Sequence, residues 1–533
     1  MGQGDAVNGM RRREWLAAAA TLPLGGCGAA PEATGALVGT HPERGHLLRN
    51  GAIASEPVAR RAQVVVVGAG IAGLAAARAL RLAGIDDVMV VDLEDEAGGN
   101  SRGGSIAGIA CPLGAHYLPV PGDSARHVQD LLEELGLRRR VAGRWTYDER
   151  HLCHSPQERL YFQGQWQEGL LPVQGVGEGT LAQYRLLARR VEAIARDASY
   201  TIPVSAAPTA PAHLALDAIT FDAWLTREGL GDAHLRWYLD YCCRDDYGAG
   251  LATVSAWAGL HYFASRHGFH APGEEGERDA VLTWPEGNAW LGRRLAAPLR
   301  DRLRTGRLVT RIETVRDGVE VDVVDPSGGT AERWHADHVV VALPAFIAAR
   351  VVARAPDPLL QAARATRYAP WIVANVHLHA PLKDRGGAAP SWDNVIYGDA
   401  GLGYVDARHQ SLDPRPGPTV LTWYHAPGEA ARRSVLESPW THWRDQVLAG
   451  LAGAHPDLRD KLTRIEVTRY GHAMSIPVPG TRARLRELPL HGPRLSFAHA
   501  DWAGYSIFEE AFTLGHEAGI AAARTLRTLP RWA

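Results

Sequence analysis

The chain has 533 residues, a formal net charge of −2 and five cysteines, and 46% of its residues are apolar. A net charge so close to zero gives no global field that would attract nucleic acid, and the cysteine number and spacing match neither a disulfide framework nor a CxxC zinc motif. No apolar run reaches the roughly 20 residues that a membrane-spanning helix needs.

The first 27 residues have the layout of an export signal. Arg11, Arg12 and Arg13 precede a short apolar stretch, which is the order of an n-region and an h-region. Arginines before an aromatic residue and a leucine resemble a twin-arginine signal, and the sequence ending at Cys27 resembles a lipobox. We expect export to the periplasm or cell envelope, a candidate lipid anchor on Cys27 and a tether over residues 28–61. The alternative is a disordered leader with a chance cysteine.

A strand–helix–strand unit follows the predicted tether. Val64–Val67 is a β-branched run typical of a strand buried on both faces. A glycine turn at 68–73 leads into the Ala- and Leu-rich segment 74–82, which favours a close-packed helix. Val88–Val91 is a second buried strand, and Asp92 follows it directly.

The later elements alternate between helices and strands. We predict helices at 124–140, 181–196 and 514–527, a mostly helical region at 221–263, a loop at about 200–215, a hairpin formed by 309–312 and 319–324, a buried strand at 338–343, and alternating strands at 371–379 and 418–424.

The glycine turn has the GxGxxG spacing of a dinucleotide-binding loop. Gly68 permits the tight turn, Gly70 lets a pyrophosphate approach the backbone, and Gly73 lets the helix pack on the strand. Helix N–H groups would meet the phosphates, and Asp92 would accept hydrogen bonds from a ribose hydroxyl. A glycine turn without a ligand is the alternative. The predicted nucleotide-binding residues of this unit are Gly68, Ala69, Gly70, Ile71, Ala72, Gly73 and Asp92.

The residues after Asp92 resemble the flavin amine oxidase family, in which an acid at the end of the second strand precedes a Gly-Gly pair. Here the pair is Gly98-Gly99, and Arg102 follows. The resemblance implies that the pair lets the chain pass close to the pyrophosphate of FAD and that Arg102 neutralises phosphate charge. Many members have an arginine directly after the pair, where this chain has Asn100.

Two later segments extend the resemblance. LVTRI at 308–312, with the hairpin and VVVALP at 339–344, is similar to the family's middle FAD segment, and Val309 matches the residue whose backbone contacts the adenine. LSFAHADWAGYSIFEEAF near the C-terminus is similar to the last flavin motif. There Asp501 matches an acid that contacts the flavin chain. Glu509, Glu510 and Ala511 match the turn that starts the final helix beneath the isoalloxazine, and Glu510 is the predicted cofactor contact.

The resemblance implies an α/β fold with α+β insertions: an FAD-binding Rossmann-like (GR2-type) domain and a second, substrate-binding domain of mixed sheet and helices. We place the FAD-binding domain at residues 62–135, 280–345 and 465–533. The two insertions between these segments, 136–279 and 346–464, would form the substrate domain.

The resemblance also implies oxidation of a C–N bond, with FAD as the cofactor that performs the redox chemistry. The motifs WPEGNAWL at 284–291, WDNVIYGDAGLGYVDARHQ at 392–410 and RYGHAM at 469–474 look closest to bacterial spermidine-dehydrogenase-like proteins. The implied substrate is an amine, with a polyamine as the narrower expectation. The electrons would pass to oxygen or to an acceptor in the envelope.

Four residues are candidates for catalytic positions. By resemblance, Tyr470 and Tyr505 would form an aromatic pair facing the flavin, although both could equally be core aromatics. His116 and His472 could act as a base or a positioning donor, but a lone histidine is more often structural. Many members hold a water near flavin N5 with a lysine, whereas the comparable strand here contains Asn375 and no lysine.

A cationic polyamine would need carboxylates along its path, and Asp245, Asp246, Asp393 and Asp406 are available. Carboxylates are usually exposed, so surface or capping roles are the plainer interpretation. We predict no metal site. Two other functions stay open: a flavin-dependent desaturase or dehydrogenase of an apolar substrate, and a non-catalytic flavin-binding lipoprotein.

Overall fold

The computed structural model describes residues 33–50, 56–274, 280–411, 413 and 415–528. The predicted export signal and Cys27 therefore lie outside the described residues. Within the described ranges, no helix is both long enough and apolar enough to cross a membrane. The strands form two large sheets and three two-stranded ones.

The strands and helices are numbered in chain order. The strands are β1 (Thr34–Leu37), β2 (Val58–Val67), β3 (Val88–Val91), β4 (Gly103–Ile106), β5 (Ile109–Pro112), β6 (Tyr117–Pro119), β7 (Arg138–Val141), β8 (Arg144–Tyr147), β9 (Glu158–Phe162), β10 (Gln165–Glu168), β11 (Val281–Thr283), β12 (Leu303–Arg304), β13 (Leu308–Thr314), β14 (Val319–Val324), β15 (Ala331–Val341), β16 (Arg367–Leu378), β17 (Asp393–Ile396), β18 (Tyr404–Asp406), β19 (Thr419–His425), β20 (Leu462–Ile476) and β21 (Leu495–Phe497). The α-helices are α1 (Pro42–Asn50), α2 (Ile71–Leu82), α3 (Arg126–Glu134), α4 (Glu178–Asp197), α5 (Pro211–Asp217), α6 (Phe221–Arg227), α7 (Ala233–Tyr247), α8 (Ala256–Ala264), α9 (Ala289–Ala296), α10 (Ala345–Val351), α11 (Asp357–Ala365), α12 (Arg432–Glu437), α13 (Trp440–Leu451), α14 (Leu458–Lys461), α15 (Thr481–Leu485) and α16 (Phe508–Thr528).

The first large sheet carries the predicted dinucleotide-binding unit. Its spatial order is β12-β3-β2-β15-β14-β13, and β21 also pairs with β15. Strand β2 runs parallel to both β3 and β15. Helices α2 and α16 cover one face and α10 and α11 cover the other, which explains why Val64–Val67 is a continuous apolar run rather than an alternating one.

The second large sheet has the order β1-β20-β16-β19-β18-β17-β9-β10 and is mostly antiparallel. One face packs on a helical layer formed by α4, α6, α7 and α8. The other face packs on α13. Strands β16 and β20 are the longest of this sheet. Tyr368, near the start of β16, donates its hydroxyl to Asp501, just after β21 of the first sheet, and residues of both sheets line one cavity.

Most predicted elements are confirmed, with shifted ends. The helix predicted at 124–140 ends at Glu134, because Gly136 adopts a positive φ of 73° and the chain turns into the hairpin β7–β8. The loop predicted at 200–215 contains α5, which begins at Pro211, a residue favoured in a first helical turn. The final helix begins at Phe508, six residues earlier than predicted.

The tether predicted at 28–61 is wrong for its described part. Residues 33–50, which we call the N-terminal strap, form β1 and α1, and β1 pairs parallel with β20. Gly35 lies so close to the ring of Trp440 that a Cβ atom would sit 2.4 Å from it. A strand of only four residues, TGAL, shows too little periodicity to be predicted, but its backbone completes the edge of the sheet.

Two predicted domain boundaries are also wrong. The boundary at 465 cuts through β20, a single strand of the second sheet, so residues up to 476 belong with the substrate domain. Conversely, α10 and α11 pack on the first sheet and belong with the FAD-binding domain. Sequence pattern marks where elements begin and end, but which sheet an element covers depends on tertiary contacts.

Candidate active site

A cavity of about 470 Å³ lies between the two sheets, and both domains contribute to its wall. One end is formed by the glycine turn, the end of β3 and the start of β13. The other end is formed by aromatic and acidic side chains of the second sheet and the helical layer. Its volume is in the range typical of ligand and cofactor sites.

The glycine turn forms the cavity wall as predicted. Gly68 has a φ of 101°, and a Cβ on Gly73 would sit 1.8 Å from the carbonyl oxygen of Gly68, so both positions require glycine. Gly70, Ile71 and Ala72 lie in the wall with Gly68. No side chain caps the start of α2, so its first N–H groups are available to an anion.

Asp92 lies in the wall, where its carboxylate shapes the turn. Its Oδ2 accepts a hydrogen bond from the backbone N of Ala69 (2.6 Å) and its Oδ1 accepts one from the backbone N of Glu94 (2.8 Å). Burial raises the pKa of Asp92, and this effect outweighs the two hydrogen bonds, which lower the pKa. Ala69, a predicted contact, is not part of the cavity wall and acts by holding Asp92.

Arg102, which is predicted to neutralise phosphate charge, has two partners within the protein. Arg102 is not part of the cavity wall, although Gly98 and Gly99 are. Its Nη1 lies 3.3 Å from Oε2 of Glu94, and its Nε donates to the carbonyl of Gly99 (3.1 Å). The guanidinium therefore neutralises Glu94, a wall residue, and fixes the Gly-Gly turn.

Two elements close the nucleotide end of the cavity, which is the end that carries the glycine turn. Val309 of β13, the predicted adenine contact, lies in the wall. Gly45 and Leu48 of the N-terminal strap lie opposite it, and sequence reasoning missed both. His41 of the strap donates its backbone N–H to Glu94 (3.2 Å), and its Nδ1 lies 2.8 Å from the same carboxylate. The strap is thus tied to the nucleotide end.

Asp501, the predicted contact to the flavin chain, lies in the wall and is held by several hydrogen bonds. Its Oδ2 accepts from the backbone N of Ala345 (2.9 Å) and from the hydroxyl of Tyr368 (2.6 Å). Burial opposes its charge, but His499 and these hydrogen bonds keep the pKa of Asp501 below its usual range. The carboxylate therefore stays ionised where α10 begins.

Glu510 is not part of the wall, which corrects its predicted contact with the flavin. Its Oε1 accepts from the backbone N of Val204 (2.5 Å), and burial raises its pKa to about 8. The neighbours Glu509 and Ala511 line the cavity instead. One residue along a helix turns the side chain by about 100°, and the sequence match did not resolve that difference.

The aromatic pair predicted from Tyr470 and Tyr505 is wrong. Tyr470 lies in the wall and donates its hydroxyl to the carbonyl of Leu113 (2.8 Å). Tyr505 is buried behind the wall. The register partner of Tyr470 on β16 is another aromatic residue, Trp371, and both line the cavity. The register between β16 and β20, which are far apart in the chain, determines that Tyr470 lies opposite Trp371.

The two histidine candidates both line the cavity. His116 stacks on Tyr424 with ring centroids 4.3 Å apart, and burial lowers its pKa to about 3. His472 packs between Phe346 and Tyr368, and burial lowers its pKa to about 4. Both imidazoles are therefore neutral near pH 7 and can position a ligand, but neither carries charge there.

Asn375 lies outside the wall and supports it. Its Nδ2 donates to the carbonyl of Pro112 (2.8 Å), and its Oδ1 accepts from the hydroxyl of Thr422 (2.7 Å). The Pro112 contact fixes the segment that leads to His116. Asn375 thus joins β16, β19 and this segment through one buried amide.

The deciding comparison is with known families. The sequence profile of flavin-containing amine oxidoreductases matches residues 71–526. The chain belongs to this family. Within the described ranges, no group of three or more His, Cys, Asp or Glu residues is arranged to hold a metal ion.

Solved structures of similar fold include amine oxidases. Putrescine oxidase bound to putrescine is 18% identical, covers 87% of this chain and 99% of its own, and has a TM-score of 0.65. Cyclohexylamine oxidase from Brevibacterium oxydans is 20% identical, covers 87% and 99%, and has a TM-score of 0.64. A fatty acid isomerase from P. acnes shares the fold at 16% identity, covering 86% and 97%, with a TM-score of 0.56.

Curated relatives match over a short stretch. A protein named as a flavin-containing monoamine oxidase, AofH of Mycobacterium tuberculosis, is 43% identical over 74 residues, or 14% of this chain and 15% of that protein. Polyamine oxidase 1 of Zea mays is 41% identical over 56 residues, or 10% of this chain and 11% of that protein. The match therefore spans about one seventh of the first relative's length.

The family assigns FAD as the cofactor of this flavin-containing amine oxidoreductase, and the cavity fits it. An uncapped helix start in the wall suits the pyrophosphate, and the carboxylate of Asp92 suits a ribose hydroxyl. The start of α16 also lies in the wall, so its N–H groups can stabilise negative charge on a flavin ring.

Two of the four acids considered for cation binding lie in this family member's cavity wall. Asp245 and Asp246, in the last turn of α7, both line the cavity, which corrects their interpretation as surface or capping residues. Asp406 does act as a capping acid, since it accepts from the backbone N of Arg408 and from Thr419. The pKa of Asp393 is raised well above its usual range, first by burial and then by the nearby carboxylate of Asp245.

Proposed function

We propose that this protein is an FAD-dependent oxidoreductase that oxidises an amine. The observation that supports this best is the composition of one cavity, in which a dinucleotide-binding loop occupies one end and aromatic and carboxylate side chains occupy the other. Both ends are needed, because the cofactor must meet a substrate inside a volume closed to bulk water.

When bound, FAD supplies a hydride acceptor at N5, and the substrate loses hydride from the carbon next to its neutral amine nitrogen. The product imine adds water and releases an aldehyde or ketone and the remaining amine. Oxygen or an envelope acceptor then takes the two electrons. The chain's own contribution is to bind, orient and exclude water.

The aromatic wall performs those tasks. Tyr117, Trp371, Tyr424 and Tyr470 line the same end of the cavity. Their faces attract a cationic nitrogen, while the low polarity around them favours release of its proton. Burial holds the pKa of Tyr424 well above its usual range, so its hydroxyl stays neutral. The neutral His116, stacked on Tyr424, keeps that ring in place.

The narrower proposal is a diamine or polyamine substrate. Two acids in the wall, Asp245 and Asp246, support it, and a putrescine oxidase of the same fold has been solved with putrescine bound. An apolar substrate is disfavoured, because it would bury the carboxylate of Asp245 without a partner.

Purified holoprotein provides the test. We expect a flavin absorption spectrum that bleaches when an amine is added without oxygen. Isoprenoids should leave the spectrum unchanged, and bleaching by them alone would favour the apolar alternative. Bound FAD that no reducing substrate bleaches would favour a non-catalytic flavin-binding protein.

We also propose export by the twin-arginine route. The support is the leader sequence alone, in which Arg11 and Arg12 precede an apolar stretch that ends near Cys27. Fractionation of cells should place the full chain in the envelope, and the pair Arg11→Lys and Arg12→Lys should retain it in the cytoplasm. Mass spectrometry of the mature N-terminus tests the lipid on Cys27.

A further inference from the structure

The inner end of the cavity combines one cation with several carboxylates. Asp245 and Asp246 contribute from the last turn of α7, Arg266 contributes from just after α8, and Glu509 contributes from the first turn of α16. Three different elements thus converge on one region, opposite the nucleotide-binding turn.

Arg266 is already occupied within the protein. Its Nη2 lies 3.5 Å from Oδ2 of Asp246 and donates to the hydroxyl of Tyr505 (2.8 Å), which in turn donates to the same Asp246 oxygen (2.5 Å). Its Nη1 donates to the carbonyl of Tyr262 (2.7 Å). Because its charge is matched by Asp246, Arg266 is poorly placed to receive a substrate carboxylate, which disfavours an α-amino acid as substrate.

Asp245 and Glu509 remain without such partners. Within the part of the chain that the structure describes, no group donates a hydrogen bond to the carboxylate of Asp245, which keeps part of its surface open to the cavity. Glu509 is only 2% exposed, and its Oε2 has no hydrogen-bond partner. A buried carboxylate without a partner is costly, so the site favours a ligand that brings positive charge.

Aromatic rings complete a cation-binding environment around Asp245. Tyr117 and Tyr424 line the cavity, and Trp392 lies edge-on to Tyr117 with centroids 5.8 Å apart. Asp393 lies behind these rings, close enough to Asp245 and Tyr117 to influence both. Aromatic faces with a nearby carboxylate are a favourable arrangement for an alkylammonium group.

We propose that Asp245 binds the second ammonium group of a diamine or polyamine whose other nitrogen is oxidised at the flavin, with Glu509 adding negative charge to the same end. This inference rests on the proposed amine oxidation and specifies its substrate class. The Asp246–Arg266–Tyr505 set is a positioning network that holds the last turn of α7 in place.

The test compares 1,4-diaminobutane with butylamine, which has the same carbon chain and a single nitrogen. In the wild-type holoenzyme, we expect the diamine to reduce the flavin with the higher kcat/KM. In Asp245→Asn, kcat/KM for the diamine should fall by about 30-fold or more, since a desolvated charge pair is lost, whereas the value for butylamine should change by less than about threefold.

A matched control and a binding measurement keep the test interpretable. Asp222→Asn removes the same charge from α6, where Asp222 pairs with Arg236 outside the cavity wall, and should leave both substrates unaffected. Binding without turnover is measured on dithionite-reduced holoenzyme, where 1,4-diaminobutane should raise the melting temperature of the wild type more than that of Asp245→Asn.

The outcomes separate the two proposals. If no amine bleaches the wild-type flavin, the proposed function fails. If amines are oxidised but Asp245→Asn lowers kcat/KM equally for both substrates, or butylamine is the better wild-type substrate, the role of Asp245 is overturned while amine oxidation stands. Should Asp245→Asn lose FAD, the melting-temperature comparison is repeated with Asp245→Ser, and an unchanged diamine effect there also overturns the proposal.

Discussion

The substitution Gly70→Ala tests where the pyrophosphate lies. Gly70 has a φ of −68° and a ψ of −179°, a conformation open to any residue. A Cβ atom there would find its nearest neighbour, the Cα of Gly99, at 3.9 Å, which is an ordinary contact. The apoprotein therefore has room for the methyl group. Once the pyrophosphate of FAD is bound against this turn, we expect that room to be filled.

The expected magnitudes follow from this geometry. Replacing glycine by alanine at a compatible conformation stabilises the apoprotein by about 0.4–1 kcal/mol, because the unfolded chain loses freedom. A methyl group forced against a bound pyrophosphate costs about 1–3 kcal/mol, as overpacking does in protein cores. That cost corresponds to an FAD dissociation constant raised about 5- to 150-fold.

Two measurements check the prediction. Urea unfolding of the apoprotein should show unchanged or slightly higher stability, and titration of the apoprotein with FAD should show the weaker binding. Gly179→Ala is the matched control, because its Cβ would meet nothing within 4 Å in helix α4. If Gly70→Ala binds FAD as tightly as the control, the pyrophosphate does not rest on this turn and the assignment of the nucleotide end is refuted.

Three further perturbations probe the strap, the wall and the buried acids. Gly35→Val should detach β1, because the valine side chain would overlap the ring of Trp440. We expect faster FAD dissociation and faster proteolysis within residues 33–50. An unchanged FAD dissociation rate would show that the strap does not retain the nucleotide. Asn375→Leu should lower the free energy of unfolding by about 1–3 kcal/mol, since it leaves Thr422 and the Pro112 carbonyl without partners. Equal urea midpoints for the variant and the wild type would contradict this prediction. Glu510 has its pKa raised to about 8 from an ordinary value of 4.5, so the folded state keeps a proton that the unfolded state releases, and stability should fall as pH rises from 4.5 to 8. Glu510→Gln should flatten that fall between pH 7 and 8 in urea unfolding and reduce it below pH 7, where Glu509, with its pKa raised to about 7, still contributes.

The nucleotide end could be predicted from sequence because its determinants are local. Gly68, Gly70, Gly73 and Asp92 lie within 25 residues, and each role follows from the backbone geometry of one strand, one turn and one helix. The cofactor, the fold and the family follow from this unit and from the two later motifs.

The substrate end could not be predicted in the same way. Trp371 and Tyr470 are about 100 residues apart and meet because β16 and β20 pair in one register, which no local pattern specifies. Asp245 and Asp246 looked like ordinary helix-surface acids until α7 was packed beside the cavity.

The sequence by itself determined the dinucleotide turn, the redox cofactor and most of the elements, since short-range periodicity and backbone conformation are encoded by neighbouring residues. Tertiary structure alone decided that residues 33–50 close over the nucleotide end, that Tyr505 supports an ion pair instead of facing the flavin, and that Glu509 rather than Glu510 lines the cavity. Each of those outcomes depends on which surfaces distant segments present to one another, and that is set by the packing of the whole chain.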